Sequence, residues 1–176
     1  RSDRATLTVY STAAGAVVNG FTVTQGSPGI YTWAPDVLLS NNTVTGNGNE
    51  GEDGGGIFCT GSRSVTIADC RILKNRASRG GGIAVASGSA VIVRNTITDN
   101  EAGGYLTAGF GGGIEVGGGS SVVIKDNVIA HNAAASYSTY GGSGSAAGGG
   151  VAISSATVTL ANNTIAENLC LGSASS

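Results

Sequence analysis

Few side chains in this 176-residue sequence are equipped for chemistry, and of its 11 acidic residues three form a group: Glu50, Glu52 and Asp53, just ahead of a run of glycines. Carboxylates that close together in a turn could hold calcium through hard oxygen ligands, and calcium is the one cofactor the sequence suggests. The spacing misses the EF-hand pattern, and a solvated acidic loop accounts for it more simply. His131 is the single histidine, so no two-histidine metal site can form. No Gly-x-Ser-x-Gly elbow accompanies it, and between Ala130 and Asn132 it reads as an outward, solvated imidazole. Cys59, Cys70 and Cys170 lack CxxC or Cys/His spacing, which argues against structural zinc. An odd set leaves at least one thiol unpaired: Cys59 and Cys70 either bridge or stay free as small buried hydrophobes. Aromatic residues make up only 5% of the chain, yet Tyr105, Phe110, Tyr137 and Tyr140 concentrate in two long Gly- and Ala-rich stretches. Such rings either stack on sugars or cover the surface beneath them.

What could position these groups is bounded by composition. Hydrophobic residues make up 40% of the chain, enough for the core of one domain if arranged periodically. The 31 glycines do not recur every third residue, which excludes collagen, and regularly spaced Val, Ile and Leu argue against disorder. Nine basic and 11 acidic residues leave no cationic excess for nucleic acid. The basic cluster of Arg71, Lys74, Arg76 and Arg79 reads as a solvated edge. No apolar run is long enough to insert in a membrane, and the first residues lack a signal-peptide core, so the chain is expected to be mature or excised.

One repeat organises the sequence: apolar-x-x-Asn-x-apolar-x-x-Asn. It appears as Leu39/Asn42/Val44/Asn47, Ile92/Asn95/Ile97/Asn100, Ile124/Asn127/Ile129/Asn132 and Leu160/Asn163/Ile165/Asn168. Ile67/Cys70/Ile72/Asn75 exchanges one Asn for Cys, and Val18/Phe21/Val23/Gly26 keeps only the apolar skeleton. Four copies are preceded by glycine triplets, each opening a short alternating strand: Gly54–Gly56, Gly80–Gly82, Gly111–Gly113 and Gly148–Gly150. The pattern predicts an all-β solenoid of about six coils, three short strands per coil stacked in parallel, spanning 1–176 as one domain with an irregular first coil over 1–26. The recurring asparagines are expected to be hydrogen-bonded ladders that tolerate unusual turn angles, not metal ligands. The triplets should supply positive φ and close packing where the chain re-enters its first strand.

The strings SNNTVTGN, VRNTITDN, IKDNVIAHN and ANNTIAEN, with their GGGI steps, resemble the repeats of right-handed parallel β-helix proteins, including polymorphic outer-membrane-type surface adhesins and pectate-lyase-like proteins. The resemblance covers nearly everything after residue 16. It implies an extracellular or cell-surface setting, while leaving function open, because lyases, hydrolases and adhesins share the scaffold. Enzymes of this kind carry clustered carboxylates, often with calcium, and a basic residue on the outer face. Here the outward positions of successive first strands read Phe58, Ala84, Glu115 and Ala152: one carboxylate and no partner.

The leading expectation is therefore a non-catalytic surface or secreted module for adhesion, carbohydrate contact or assembly. Its ligand edge would be Tyr105, Phe110, Tyr137 and Tyr140, on insertions leaving one side of the solenoid, with Glu115 beside them. Its partners would be a carbohydrate, a surface protein, or further copies stacked end to end on unpaired strand edges, Ala5–Tyr10 among them. Three alternatives stand beside it: a polysaccharide lyase or hydrolase whose missing coils hold the carboxylates, a filament subunit, and an ice-binding face of Thr22, Thr24, Thr43, Thr45, Thr96, Thr98 and Thr164.

Overall fold

A computed structural model describes residues 4–48, 51–104, 107–136 and 145–172. The described chain coils six times, and its strands align into three parallel six-stranded sheets. The first contains Leu7–Val9, Ile30–Thr32, Ile57–Cys59, Ile83–Val85, Ile114–Val116 and Val151–Ile153. The second runs from Val17–Asn19 to Thr157–Ala161 and the third from Thr22–Val23 to Thr164–Ala166. A fourth short strand, not foreseen from the repeat, follows the second Asn in the later coils: Arg76–Ala77, Glu101–Ala102, Ala133–Ala135 and Leu169–Leu171 form a four-stranded sheet. The opening segment is a regular coil in one respect, since its three strands pair in register with those of the second coil.

Alternation decides which side chains turn inward. Ile30, Ile57, Ile83 and Ile114 stack in the first sheet, Leu39, Ile67, Ile92 and Ile124 in the second, and Val44, Ile72, Ile97 and Ile129 in the third, all with 0% exposure. Three apolar columns thus meet along the axis and form one core.

Two asparagine ladders close the corners on either side of the third sheet. Asn75, Asn100, Asn132 and Asn168 continue the column begun by Asn47; in each step the main-chain N–H and the Nδ2 of one Asn donate to Oδ1 of the next, at 2.9–3.1 Å. The remaining amide hydrogen donates back to a carbonyl one coil earlier, as from Asn100 to Ile72. The other column runs Asn42, Cys70, Asn95, Asn127, Asn163; Cys70 takes the place of an amide and accepts from the Asn42 N–H at 3.5 Å. Positive φ falls on the residue before each ladder position, not on the asparagine as expected: Asn41, Asp69, Arg94, Asp126 and Asn162 at one corner have φ of 52–57°. The αL residue turns the chain, which frees the Asn to point inward and donate.

Cys59 and Cys70 are both free and buried, one inside the first sheet and one in the ladder, so the bridge is not made. His131 lies outward, as expected, with Nδ1 3.1 Å from the Glu167 carboxylate. The threonine rows occupy the third sheet, where Arg71 and Val128 interrupt them in register.

Candidate functional site

Each glycine triplet carries the chain over the outer face of the first sheet before it enters its strand. The first glycine makes the turn with positive φ, 67° at Gly54 and 59° at Gly80. A Cβ there would lie 2.6 Å from the Phe58 Cβ at Gly54 and 2.7 Å from the Ala84 Cβ at Gly80, so only glycine lets the incoming segment press onto the strand. The residue just before each triplet therefore recurs at one place in space. Asp53, Arg79 and Phe110 are linked by parallel bridges, and Phe110 pairs with Ala147 through the short sheet of Gly109–Phe110 and Ala146–Ala147. This column forms a rim facing the outward column Phe58, Ala84, Glu115, Ala152.

Between rim and sheet lies a cleft of about 460 Å³, lined by Arg79, Phe110, Glu115, Val151, Ile153 and Ser154 among others. The Arg79 guanidinium stands 4.8 Å from the centre of the Phe110 ring, and Nη1 is 3.7 Å from Glu115 Oε1. The Glu115 side chain is only 7% exposed while that of Arg79 is 48% exposed, so the cation shields the carboxylate and keeps its own far side open to solvent. Burial pushes the Glu115 carboxyl above its ordinary range; Arg79 opposes this, Asp53 adds to it, and a hydrogen bond with Ser154 opposes it. A second depression of about 220 Å³, lined in part by Asp53, Phe58, Ala86 and Gly117, shares Arg79, Glu115 and Ser154 with the first.

The contacts of Glu115, with Arg79 and Ser154, come from the rim and from the next coil and so are invisible along a single strand. Arg71, Lys74 and Arg79 are exposed, as a solvated edge requires, and Arg79 in addition lines the cleft; Arg76 is half-buried and pairs with Glu101 at 3.3 Å. Phe110 and Glu115, paired as candidates from sequence, share the cleft. Tyr105, Tyr137 and Tyr140 lie outside the described residues, as does Glu50 of the calcium candidate. The two insertions bearing the tyrosines do leave from one edge: both begin after stacked strands, Glu101–Ala102 and Ala133–Ala135, and return at Gly109–Phe110 and Ala146–Ala147, beside the cleft. Asp53 belongs to the rim, and among the described residues no group of three or more His, Cys, Asp or Glu side chains could hold a metal ion.

Sequence reading missed the aromatic cluster of Tyr10, Tyr31 and Trp33. Tyr31 packs 5.4 Å from Phe58 and 4.9 Å from Trp33, which meets Tyr10 edge-on at 5.0 Å. Gly29-Ile30-Tyr31 repeats the Gly-Ile-x step of the later triplets, and that alignment would have placed Tyr31 above Phe58.

What the cleft offers is a flat ring, a planar guanidinium with forked donors, a carboxylate and a hydroxyl, converging within one concavity: the groups that grip a polyhydroxylated ligand through stacking and bidentate hydrogen bonds. No curated protein and no solved structure matched the chain. A family model described as the right handed beta helix region matches residues 3–169. Coils, parallel sheets and family match agree, and the chain belongs to the right-handed β-helix family.

Proposed function

We propose that this β-helix is a non-catalytic extracellular or cell-surface module that binds carbohydrate in the cleft between the rim and the first sheet. The observation that carries the reading is the Phe110–Arg79–Glu115 arrangement, an aromatic face, a half-exposed guanidinium and a buried carboxylate in one concavity. A site of this composition suits adhesion to glycans on another surface, and the tyrosine-bearing insertions return to the described chain beside it. Incubating the purified protein on a glycan array, beside Phe110→Ala and Glu115→Gln, tests this. Both substitutions are expected to abolish or sharply weaken the signal while circular dichroism stays unchanged. Equal binding by all three proteins would remove the cleft from consideration.

One observation favours a second reading. A buried carboxyl held above its ordinary range is what a general acid requires, and Asp53 acts on Glu115 as a second carboxylate. A polysaccharide hydrolase or lyase would release new reducing ends or unsaturated product from pectins, alginates or glycosaminoglycans, and the activity would vanish in Glu115→Gln. Reproducible turnover of that kind would displace the non-catalytic reading.

A further inference from the structure

The third sheet is the plainest face of the molecule. In coils three to six each of its strands is entered and left through a two-residue corner, as in Asp69-Cys70 before Arg71–Leu73 and Lys74-Asn75 after it, so neither insertion starts beside it. Its inward side chains alternate with two outward columns: Thr43, Arg71, Thr96, Val128 and Thr164, then Thr45, Leu73, Thr98, Ala130 and Ala166. At each corner the ladder residue turns inward and the αL residue before it turns outward. Asn41, Asp69, Arg94, Asp126 and Asn162 therefore line the entry corner, and Gly46, Lys74, Asp99, His131 and Glu167 line the exit corner. All ten are exposed.

Along each corner the ionisable residues alternate in sign from coil to coil, His131 counting as a cation when protonated. The Arg94 guanidinium forks onto the Asp69 carboxylate at 2.7 and 2.8 Å, and His131 Nδ1 lies 3.1 Å from Glu167, so the alternation ties successive coils together. Such pairing within the chain demands no relation between the two corners, yet they are out of step. Within one coil Asp69 stands across the face from Lys74, Arg94 from Asp99, and Asp126 from His131. A checkerboard of this kind is its own complement under a twofold axis parallel to the solenoid. The rotation keeps every coil at its height and exchanges the corners, so Asp69 of one copy meets Lys74 of the other, Arg94 meets Asp99 and Asp126 meets His131, each pair twice. Between the corners the Thr, Val and Ala columns meet, and the aliphatic stem of Arg71 covers Leu73. We propose that the protein self-associates as a parallel, side-by-side dimer through the outer face of its third sheet. Six strands at roughly 4.8 Å and five residue steps at roughly 3.3 Å give a face of about 24 by 17 Å, or about 400 Å² per copy. That is about half of the roughly 800 Å² per partner of a standard interface, so the dimer is weak and rests on charges that salt screens. The first sheet and its cleft stay uncovered in both copies.

Sedimentation equilibrium of the full chain from about 10 μM to 1 mM reads the association. The parent protein should dimerise in about 20 mM salt and lose about tenfold in association constant in about 0.5 M salt. Lys74→Glu, Asp99→Lys, His131→Glu and Glu167→Lys, made together, invert the exit corner. Alternation along the axis survives, so the pairs within the chain are kept, while every pair between copies becomes like-charged. This variant should stay monomeric with a thermal melt close to that of the parent, and so should the entry-corner variant, Asp69→Lys, Arg94→Glu and Asp126→Lys. An equimolar mixture of the two should regain the parent's association to within about twofold, because each then offers the other matching corners. A dimer retained by the exit-corner variant alone would overturn the proposal in favour of antiparallel pairing, in which like corners meet. A parent chain monomeric at 1 mM and low salt, or a mixture no more associated than its components, would overturn it outright. Thr43→Cys, with Cys170→Ser removing the exposed native thiol, tests the same geometry without altering charge, should the inverted corners fail to fold. A short bismaleimide should link it into dimers at low salt, and a yield no greater than in about 0.5 M salt would sink the parallel arrangement.

Discussion

Ile97 and Ile165 occupy the same place in the same sheet, two coils apart, in near-identical local sequence; Ile97 is fully buried and Ile165 is 48% exposed. Leu160, Leu169 and Leu171 in the sixth coil are similarly open, at 43–57%. The first coil behaves differently. Val9, Val18 and Val23 are only 2–8% exposed, with Ala13 and Ala16 packed against them from the turn that follows the first strand. In a solenoid, membership of the core is therefore conferred by the next coil or by a local lid, since each unit contacts only its neighbours. The residue's own hydrophobicity does not decide it.

The thiols test that contrast most steeply. Burial in the middle of the stack pushes the Cys59 thiol up to about 12, and burial raises Cys70 as well, whereas Cys170 is exposed on the sixth coil. At pH 8 a thiol with that value is ionised to about one part in ten thousand, so Cys170 alone should react with an aromatic disulfide reagent within minutes, and the other two only after denaturant is added. Three equivalents released at once from the native protein would mean that the middle coils open as readily as the end.

Next in size is the isoleucine pair. Ile97→Ala should cost about 2–5 kcal/mol through lost burial and the cavity left behind, and Ile165→Ala well under about 1 kcal/mol, read from urea transitions. Equal losses would show that the sixth coil is covered in solution by something that buries Ile165 as fully as a seventh coil.

The smallest effect concerns the outside of the stack, where Glu115 is buried by the rim. Its folded carboxyl ionises above the unfolded one, so the ionised form disfavours the fold. That penalty is absent below the unfolded carboxyl range, grows as pH rises toward the folded value, and persists above it. Glu115→Gln should therefore match the parent protein in acid and equal or exceed its thermal stability at neutral pH. A variant less stable than the parent at every pH would assign the Arg79 contact more weight than burial.

Much of this was legible in the sequence, for reasons visible in particular residues. Ladder positions such as Asn100 and Asn132 must be identical from coil to coil because each amide completes its neighbour, and identity at a fixed offset is what a repeat search detects. The core columns were legible for the same reason. The rim was not, because Asp53, Arg79, Phe110 and Ala147 share a position but no chemistry; only the glycines after them repeat. Glu115 was singled out correctly as an outward carboxylate of the first strand, yet its partners are 36 and 39 residues away in sequence, on an element whose path over the sheet is set by backbone turns. The fourth short strand escaped because Arg76–Ala77 and Glu101–Ala102 are too brief to show alternation.

The ladders also give the molecule a direction, much as a string of gears does when each tooth can engage only one way. Every step passes hydrogen from one coil to an acceptor in the next, an amide oxygen or, at Cys70, the sulfur, and the chain of donors runs uniformly from the first coil toward the sixth. Coil one holds Phe21 and Gly26 at the two ladder positions; their main-chain N–H groups engage Asn42 and Asn47, but they carry no side-chain oxygen to receive an incoming amide. A second copy seated on the sixth coil would bring Phe21 and Gly26 against the N–H groups of Asn163 and Asn168, where no side-chain oxygen waits to accept from them.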